Sequence, residues 1–310
     1  MVDKMKVAAL AGGVGGAKLA DGLARAMPPE DLTIIVNTGD DFDHLGLRIS
    51  PDLDTVCYML AGIQNPNTGW GRANESWQVF EELERLGGPT WFRLGDRDLA
   101  THLERTRRLA AGQALSEVTA EFCQTWGIKP TILPMSDDPI PTIVITAEGE
   151  LGFQEYFVAR GCQPVVSGFR FEGVEAARPA PGVLQAVEEC DLVIFCPSNP
   201  WVSIEPILAV PGVRQTLKGK PVIAVSPIIG GKALKGPAAK MYAELGITPS
   251  AMAVADHYQE LLSGFVLDEI DTILTESLDI RTLITDTIMN EEEDRKRLGE
   301  EVLSFAKEFV

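Results

Sequence analysis

Six short apolar or β-branched runs punctuate the chain, each bounded by turn-forming residues: Lys6 to Ala11, Leu32 to Asn37, Thr142 to Ala147, Asp191 to Cys196, Pro221 to Ser226 and Met252 to Ala255. Continuous runs of this kind read as strands buried on both faces. Helical patterns separate most of them, so the connections are crossovers and the sheet is mainly parallel, an α/β arrangement with helices on both faces. Residues from about 55 to 130 break the rhythm, being mostly helical with loops rich in Asn, Gly and Trp between Gln64 and Trp77. They are expected to form an inserted lid or acceptor subdomain within a single Rossmann-like domain covering residues 1–310. Between Glu150 and Ala177, alternation around Gly161 and Gly168 suits antiparallel strands. From Asn290 onward the pattern is that of a capped amphipathic helix, with Glu291, Glu292, Glu293 and Asp294 matched to its N-terminal dipole.

Where the first run ends, Gly12-Gly13-Val14-Gly15-Gly16-Ala17-Lys18-Leu19 leads into an amphipathic helix. Glycines let successive backbone N–H groups converge on an anion, and the helix turns its positive end to the same place. A phosphate cradle is expected here, built on Gly12, Gly13, Gly15 and Gly16, with Lys18 as an added charge. Two common templates fail. Walker A needs Gly-Lys-Ser/Thr, whereas Ala17-Lys18-Leu19 supplies no hydroxyl for a magnesium ion. A G-x-G-x-x-G pattern begun at Gly13 needs glycine where Lys18 stands. The second run ends in Asn37, where a nicotinamide enzyme usually carries an acid for the ribose. An ordinary ATPase or dehydrogenase is therefore disfavoured.

Charge narrows the partners. With 310 residues, a net charge of −18 and a pI near 4.6, the chain lacks the basic surface that nonspecific nucleic-acid or anionic-membrane binding requires. An anionic substrate needs a local cation or backbone dipoles. The five cysteines (Cys57, Cys123, Cys162, Cys190 and Cys196) are scattered, without a C-x-x-C pair, as expected of reduced thiols in a cytoplasmic protein. The apolar run after Lys4 and Lys6 is too short and too broken by glycine for a signal peptide, and no segment reads as a membrane span.

After the second run, Asn37-Thr38-Gly39-Asp40-Asp41-Phe42-Asp43-His44 and Ser50-Pro51-Asp52-Leu53-Asp54-Thr55 place five aspartates within fifteen residues. Carboxylates so concentrated repel one another unless a cation sits among them. Magnesium suits such a place, taking one or two carboxylates and completing its shell with water and phosphate oxygens. Asp40 and Asp54 are the candidate metal ligands, against the plain alternative of a turn role for Asp40 and a helix cap for Asp52 or Asp54. Further along, Trp91-Phe92-Arg93-Leu94-Gly95-Asp96-Arg97-Asp98 offers arginines able to clamp phosphate or lie on a ring system, or else a solvated turn. In Cys196-Pro197-Ser198-Asn199-Pro200, Ser198 suits phosphate and the Asn199 amide a base edge, unless both make only a turn. His44 is a candidate ligand contact, while His102 and His257 read as surface or packing residues. No Ser-His-Asp or Cys-His grouping supports covalent catalysis.

Taken together, the glycine loop, Asn37-Thr38-Gly39-Asp40-Asp41, Ser50-Pro51-Asp52-Leu53-Asp54-Thr55, Arg93-Leu94-Gly95-Asp96-Arg97-Asp98, Leu133-Pro134-Met135-Ser136-Asp137-Asp138-Pro139, Pro197-Ser198-Asn199-Pro200 and Ser226-Pro227-Ile228-Ile229-Gly230 resemble the 2-phospho-L-lactate transferase family of coenzyme F-420 biosynthesis. The motifs follow the family order over most of the chain. The resemblance implies an enzyme that moves a phospholactyl or phosphoenolpyruvyl group from a guanosine-diphosphate-activated donor to 7,8-didemethyl-8-hydroxy-5-deazariboflavin. GMP would be released, and Mg2+ required. It further implies that the glycine loop with Ser198 and Asn199 holds the guanosine diphosphate part, and that Asp40 and Asp54 hold the metal. Asp54 and Arg93 would contact the acceptor, Asp40, Asp54 and Arg93 forming the catalytic set in a homodimer. Trp70, Trp77 and Trp91 are candidates for a flat wall beside the tricyclic acceptor, against the plain alternative of core packing for any one of them. A non-catalytic nucleotide-sugar-binding regulator, with the same cradle but no acceptor chemistry, is the competing expectation.

Overall fold

Seven parallel strands make the central sheet of the chain, whose structure is a computed structural model describing residues 5–310. They are β1 (Val7–Ala11), β2 (Leu32–Val36), β3 (Thr131–Pro134), β4 (Leu192–Phe195), β5 (Val222–Val225), β6 (Gly264–Asp268) and β7 (Arg281–Thr285). Their spatial order is β7-β6-β5-β4-β1-β2-β3, and every neighbouring pair is parallel, Val7 facing Leu32 on one side and Leu192 on the other. The order reverses between β1 and β4, the switch point of a doubly wound sheet. Strand β1 shows why the runs are apolar throughout. Val7, Ala9 and Ala11 pack with helix α1 (Gly13–Ala26), helix α2 (Pro51–Leu60) and the C-terminal helix Glu292–Ala306. Ala8 and Leu10 pack on the opposite face, with helices Val183–Glu189 and Ala251–Tyr258.

Two excursions leave from the carboxyl edge, where ligands of such sheets collect. The first, between β2 and β3, contains the hairpin Phe42–His44 with Leu47–Ile49, then α2, α3 (Gln78–Arg85), α4 (Asp96–Ala110) and α5 (Leu115–Thr125). The second, between β3 and β4, is an antiparallel side sheet in which Thr142–Thr146 is flanked by Gly149–Gly152 and Val166–Phe171.

The expected parallel α/β sheet is present, with two corrections. Thr142–Thr146 is a strand, but of the antiparallel side sheet. Met252 to Ala255 is helical, inside Ala251–Tyr258, whose first turn is capped by Ser250 Oγ accepting the Ala253 N–H at 3.0 Å. A four-residue apolar run carries too little period to separate strand from helix, and the cap decides. Strands β3, β6 and β7 were not among the six runs. β3 ends in Pro134, β6 begins at Gly264, and β7 leaves Arg281 and Ile284 exposed at the sheet margin. The antiparallel strands expected within 150–177 are there, separated by a π-helical turn at Glu155–Ala159. The C-terminal helix starts as its acids foretold, Asp294 Oδ2 accepting the Glu291 N–H at 2.9 Å. Among the described residues no helix is long and apolar enough to cross a membrane.

Candidate active site

Gly13 opens α1 at φ 63°, in the left-handed region that glycine enters freely. The first turn then lies against the loop after β4. An added Cβ at Gly15 would overlap the Pro197 carbonyl oxygen, and one at Gly16 would sit 2.5 Å from Ser198 Oγ. Ser198 Oγ accepts the Gly12 N–H at 3.2 Å and donates to the Gly12 carbonyl at 2.8 Å, stitching β1 to β4 across the switch point. At the positive end of α1 sits an internal anion. Asp52 accepts the Gly13 N–H, and its Oδ2 receives Asn37 Nδ2 at 2.9 Å, the same amide reaching the Val202 carbonyl at 3.1 Å. Asp52 is thus a helix cap, as the plain alternative had it, but for α1 rather than its own helix.

Two more carboxyl groups crowd this place. Asp40 lies close enough to Asp52 to feel its charge, and its Oδ2 receives Gln154 Nε2 at 3.1 Å. Asp41 Oδ2 receives Ser50 Oγ at 2.7 Å. Asp40 Oδ1 and Asp41 Oδ1 are buried with no hydrogen-bond partner, as are Thr38 Oγ1 and Thr142 Oγ1 beside Gly39. Burial, then the Asp52 and Asp41 charges, push Asp40 well above the ordinary carboxylate range. Burial also lifts Asp41 to about 7 against the pull of Ser50 and Arg105, and Asp52 to about 6 against its bonds from Asn37 and Gly13. Buried carboxyls with bare oxygens and too little positive charge are what a divalent cation compensates.

Asp54 meets different surroundings. Helix α4 brings Arg105, itself 2% exposed, to both carboxylate oxygens, Nη1 to Oδ2 at 3.0 Å and Nη2 to Oδ1. His102 Nδ1 stands 3.6 Å from Asp54 Oδ2, and His102 Nε2 3.4 Å from Asp98 Oδ1, to which Tyr58 also donates at 2.7 Å. Burial opposes the charge on Asp98, yet His102 and Tyr58 hold it below the ordinary range. Asp41 feels both Arg105 and Asp54, which ties this network to the acidic loop. Sequence reasoning missed Arg105 and the network role of His102. The signal was there in outline: Asp98, His102 and Arg105 recur at i, i+4 and i+7, one face of a helix. Each Asp54 oxygen keeps a further lone pair beyond its Arg105 bond, so a metal ligand role remains compatible with the pair.

The remaining candidates are dispersed. Lys18 directs its ammonium to the Met289 carbonyl, and burial followed by the Lys235 and Arg295 charges lowers its pKa. Lys235 donates to the Thr68 carbonyl at 2.7 Å, beside Gly69 and Val14. Arg93 lies over Trp77, 4.5 Å from the ring centroid, and 5.3 Å from Phe80. The rest of its motif is helix capping, Asp96 accepting from Gln78 and Val79 at the start of α3 and Glu75 from Arg97 and Asp98 at the start of α4. Asn199 Oδ1 takes the Trp201 N–H at 3.0 Å, and its Nδ2 lies 3.2 Å from the weakly accepting Met241 Sδ. His44 is buried edge-on to Trp91 at 5.1 Å, its Nε2 without a partner, and burial followed by His102 lowers its pKa. Trp70 is exposed. The structure therefore gathers Gly12, Gly13, Ser198, Asp40 and Asp52 at one point, with Asp54 in the adjoining network, while Arg93 and Lys18 make their contacts elsewhere.

Among the described residues no three His, Cys, Asp or Glu side chains are grouped to hold a metal ion by themselves. Magnesium asks for less, since water and phosphate complete its shell. The family model described as 2-phospho-L-lactate transferase CofD matches residues 7–304. A phosphoenolpyruvate transferase of Streptomyces griseus subsp. griseus is 43% identical over 98% of this chain and 99% of its own length. A 2-phospho-L-lactate transferase of Methanosarcina acetivorans is 43% identical over 95% of this chain and 97% of its own. A crystal structure of a UPF0052 family member from Bacillus halodurans shares the fold, with a TM-score of 0.67 at 15% identity over 98% of this chain and 100% of that one. With the glycine loop, the acidic loop and the Ser198 loop all inside the matched span, the chain belongs to the 2-phospho-L-lactate transferase (CofD) family and is a transferase of that family.

Proposed function

We propose that the chain transfers a phospholactyl or phosphoenolpyruvyl group from a guanosine-diphosphate-linked donor to 7,8-didemethyl-8-hydroxy-5-deazariboflavin, releasing GMP. The observation that carries this is the group of buried carboxyls at the N-terminus of α1, whose bare oxygens suit a cation beside the glycine loop. A magnesium ion held by Asp40 and Asp54 would supply charge neutralisation at the donor oxygens. The chain's own groups position the reactants. Gly12, Gly13 and Ser198 shape the loop through their own bonds, the first-turn N–H groups at Gly15 and Gly16 face the diphosphate with Lys18 turned to it from the Met289 carbonyl, and Asn199 offers its spare amide donor to the guanine edge. Asp54, fixed by Arg105, accepts the hydrogen bond of the attacking ribityl hydroxyl. The hydroxyl oxygen forms the new bond to phosphorus and gives up its proton to water as the bridging oxygen leaves with GMP. Arg93 stacked on Trp77 offers a flat cationic surface to the tricyclic ring.

Relatives named phosphoenolpyruvate transferase are 43–46% identical to this chain and those named 2-phospho-L-lactate transferase 40–43%, a margin too small to choose, so both donors enter the test. Protein, deazaflavin, Mg2+ and guanylylated phospholactate or phosphoenolpyruvate should yield GMP and a phosphodiester of the deazaflavin, and competition between the donors identifies the preferred one. Asp40→Asn is expected to lower this turnover about 100-fold or more. Tight guanosine diphosphate binding with no turnover of either donor would make the chain a non-catalytic binder instead.

A further inference from the structure

The side sheet touches the acidic loop at two points. Thr142 N–H donates to the Gly39 carbonyl at 2.6 Å, and Gln154 Nε2 donates to Asp40 Oδ2 at 3.1 Å. Gln154 is 6% exposed and immediately precedes the π-helical turn Glu155–Ala159, a geometry that is rare overall and frequent at functional sites. We propose that Gln154 is a positioning residue for Asp40, fixing one carboxylate oxygen so that the other is presented to a divalent cation. The proposal rests on the cation role assigned to Asp40 above.

The partners of the two candidate ligands differ in kind. Arg105 brings a full positive charge to Asp54, whereas Gln154 brings a neutral amide donor to Asp40. A neutral donor orients a carboxylate without cancelling its charge, leaving that charge for a metal. The free valence is on the correct oxygen, since Oδ2 takes Gln154 and Oδ1 is buried and bare. Two further bare groups share the loop. Thr38 Oγ1, on the residue before Gly39, and Thr142 Oγ1, against Gly39, suit the water molecules that magnesium keeps when only one or two carboxylates bind it. The side sheet is in this way an outer wall of the metal site, supplied by residues more than a hundred positions after Asp40, Gln154 lying 114 positions from it.

Mn2+ binding to the full chain, measured by calorimetry without donor or acceptor, tests this independently of turnover. Gln154→Met, which keeps the length and removes the donor, should weaken Mn2+ binding about 10- to 100-fold, the usual cost of losing an outer-shell partner. Gln154→Asn, an amide too short to reach, should show the same loss and serves if the Met variant fails to fold. In an Asp40→Asn background the Gln154 substitution should have no further effect on Mn2+, and saturating Mg2+ should restore turnover to the Gln154 single variants. A purely structural role would instead lower the unfolding temperature and leave Mn2+ affinity alone. Binding by both Gln154 variants within about twofold of the parent overturns the proposal, because it falls well short of an outer-shell loss. A parent chain that binds no Mn2+ overturns the cation role of Asp40, and this proposal with it, which is a distinguishable result.

Discussion

Asp40 and Asp54 lie close in sequence and meet opposite environments. Arg105 neutralises Asp54, so Asp54→Asn leaves a buried guanidinium without its counter-ion and should cost about 3–5 kcal/mol of stability, read from a urea unfolding curve. Asp40 has no such partner, and its replacement by Asn should leave the metal-free chain at least as stable as the parent. Proton linkage gives a second consequence. Asp41 and Asp52 titrate near 7 and 6 in the fold, and burial with the neighbouring acids pushes Asp40 well above the unfolded carboxylate range too. The folded chain therefore binds more protons than the unfolded one across that window, and its stability falls as pH rises. In chelator, the unfolding temperature should climb as pH is lowered from about 8 to about 6.5, below which buried His44 begins to act in the opposite sense. Saturating Mg2+ should flatten the slope. A chelated chain with no such slope would contradict the environment given to these acids. The acids themselves were legible because they are consecutive or nearly so. Their partners were not, Arg105 standing 51 and Gln154 114 positions away, since no local pattern marks a contact made only by folding.

Helix α1 is gripped as closely from behind as from its N-terminus. It meets the C-terminal helix at a pair of glycines, where an added Cβ on Gly299 would lie 2.6 Å from the Gly22 carbonyl group and one on Gly22 would overlap the Arg295 carbonyl oxygen. Beside the crossing, Asp21 is shared by Arg295 at 2.9 Å and Arg25 at 2.8 Å. Gly22→Ala should therefore destabilise the chain by about 1–3 kcal/mol through overpacking, seen as a lower urea midpoint. An unchanged midpoint would mean that the two helices part by a methyl's width at no cost. Element by element, the sequence was most readable where chemistry punctuates it. The acids before Glu292–Ala306 marked that helix start, and the glycines after β1 marked α1. It was least readable where burial is partial, as in β7, or where a run is too short to carry a period, as at Met252.

In the molecule as a whole, parallel strand direction puts the start of both excursions on one edge, so the acidic loop after β2 and the side sheet after β3 meet although neither predicts the other. The alternating pattern within 150–177 announced the side sheet as antiparallel, but its grip on Asp40 depends on the neighbouring of β2 and β3, a property of the strand order. That order also governs how the chain comes together. β1 precedes both of its sheet neighbours in the chain and lies in the interior of the sheet, with Val7 paired to Leu32 and to Leu192. A chain leaving the ribosome can close one edge of β1 early, while the other stays bare until β4 has been made. Pairing across such a separation is slow, and an uncovered apolar edge is prone to aggregate in the meantime. The glycine turn is thus translated long before its latch and stays open until Ser198 emerges to bond Gly12, which makes the nascent chain, rather than the finished one, the form most dependent on protection.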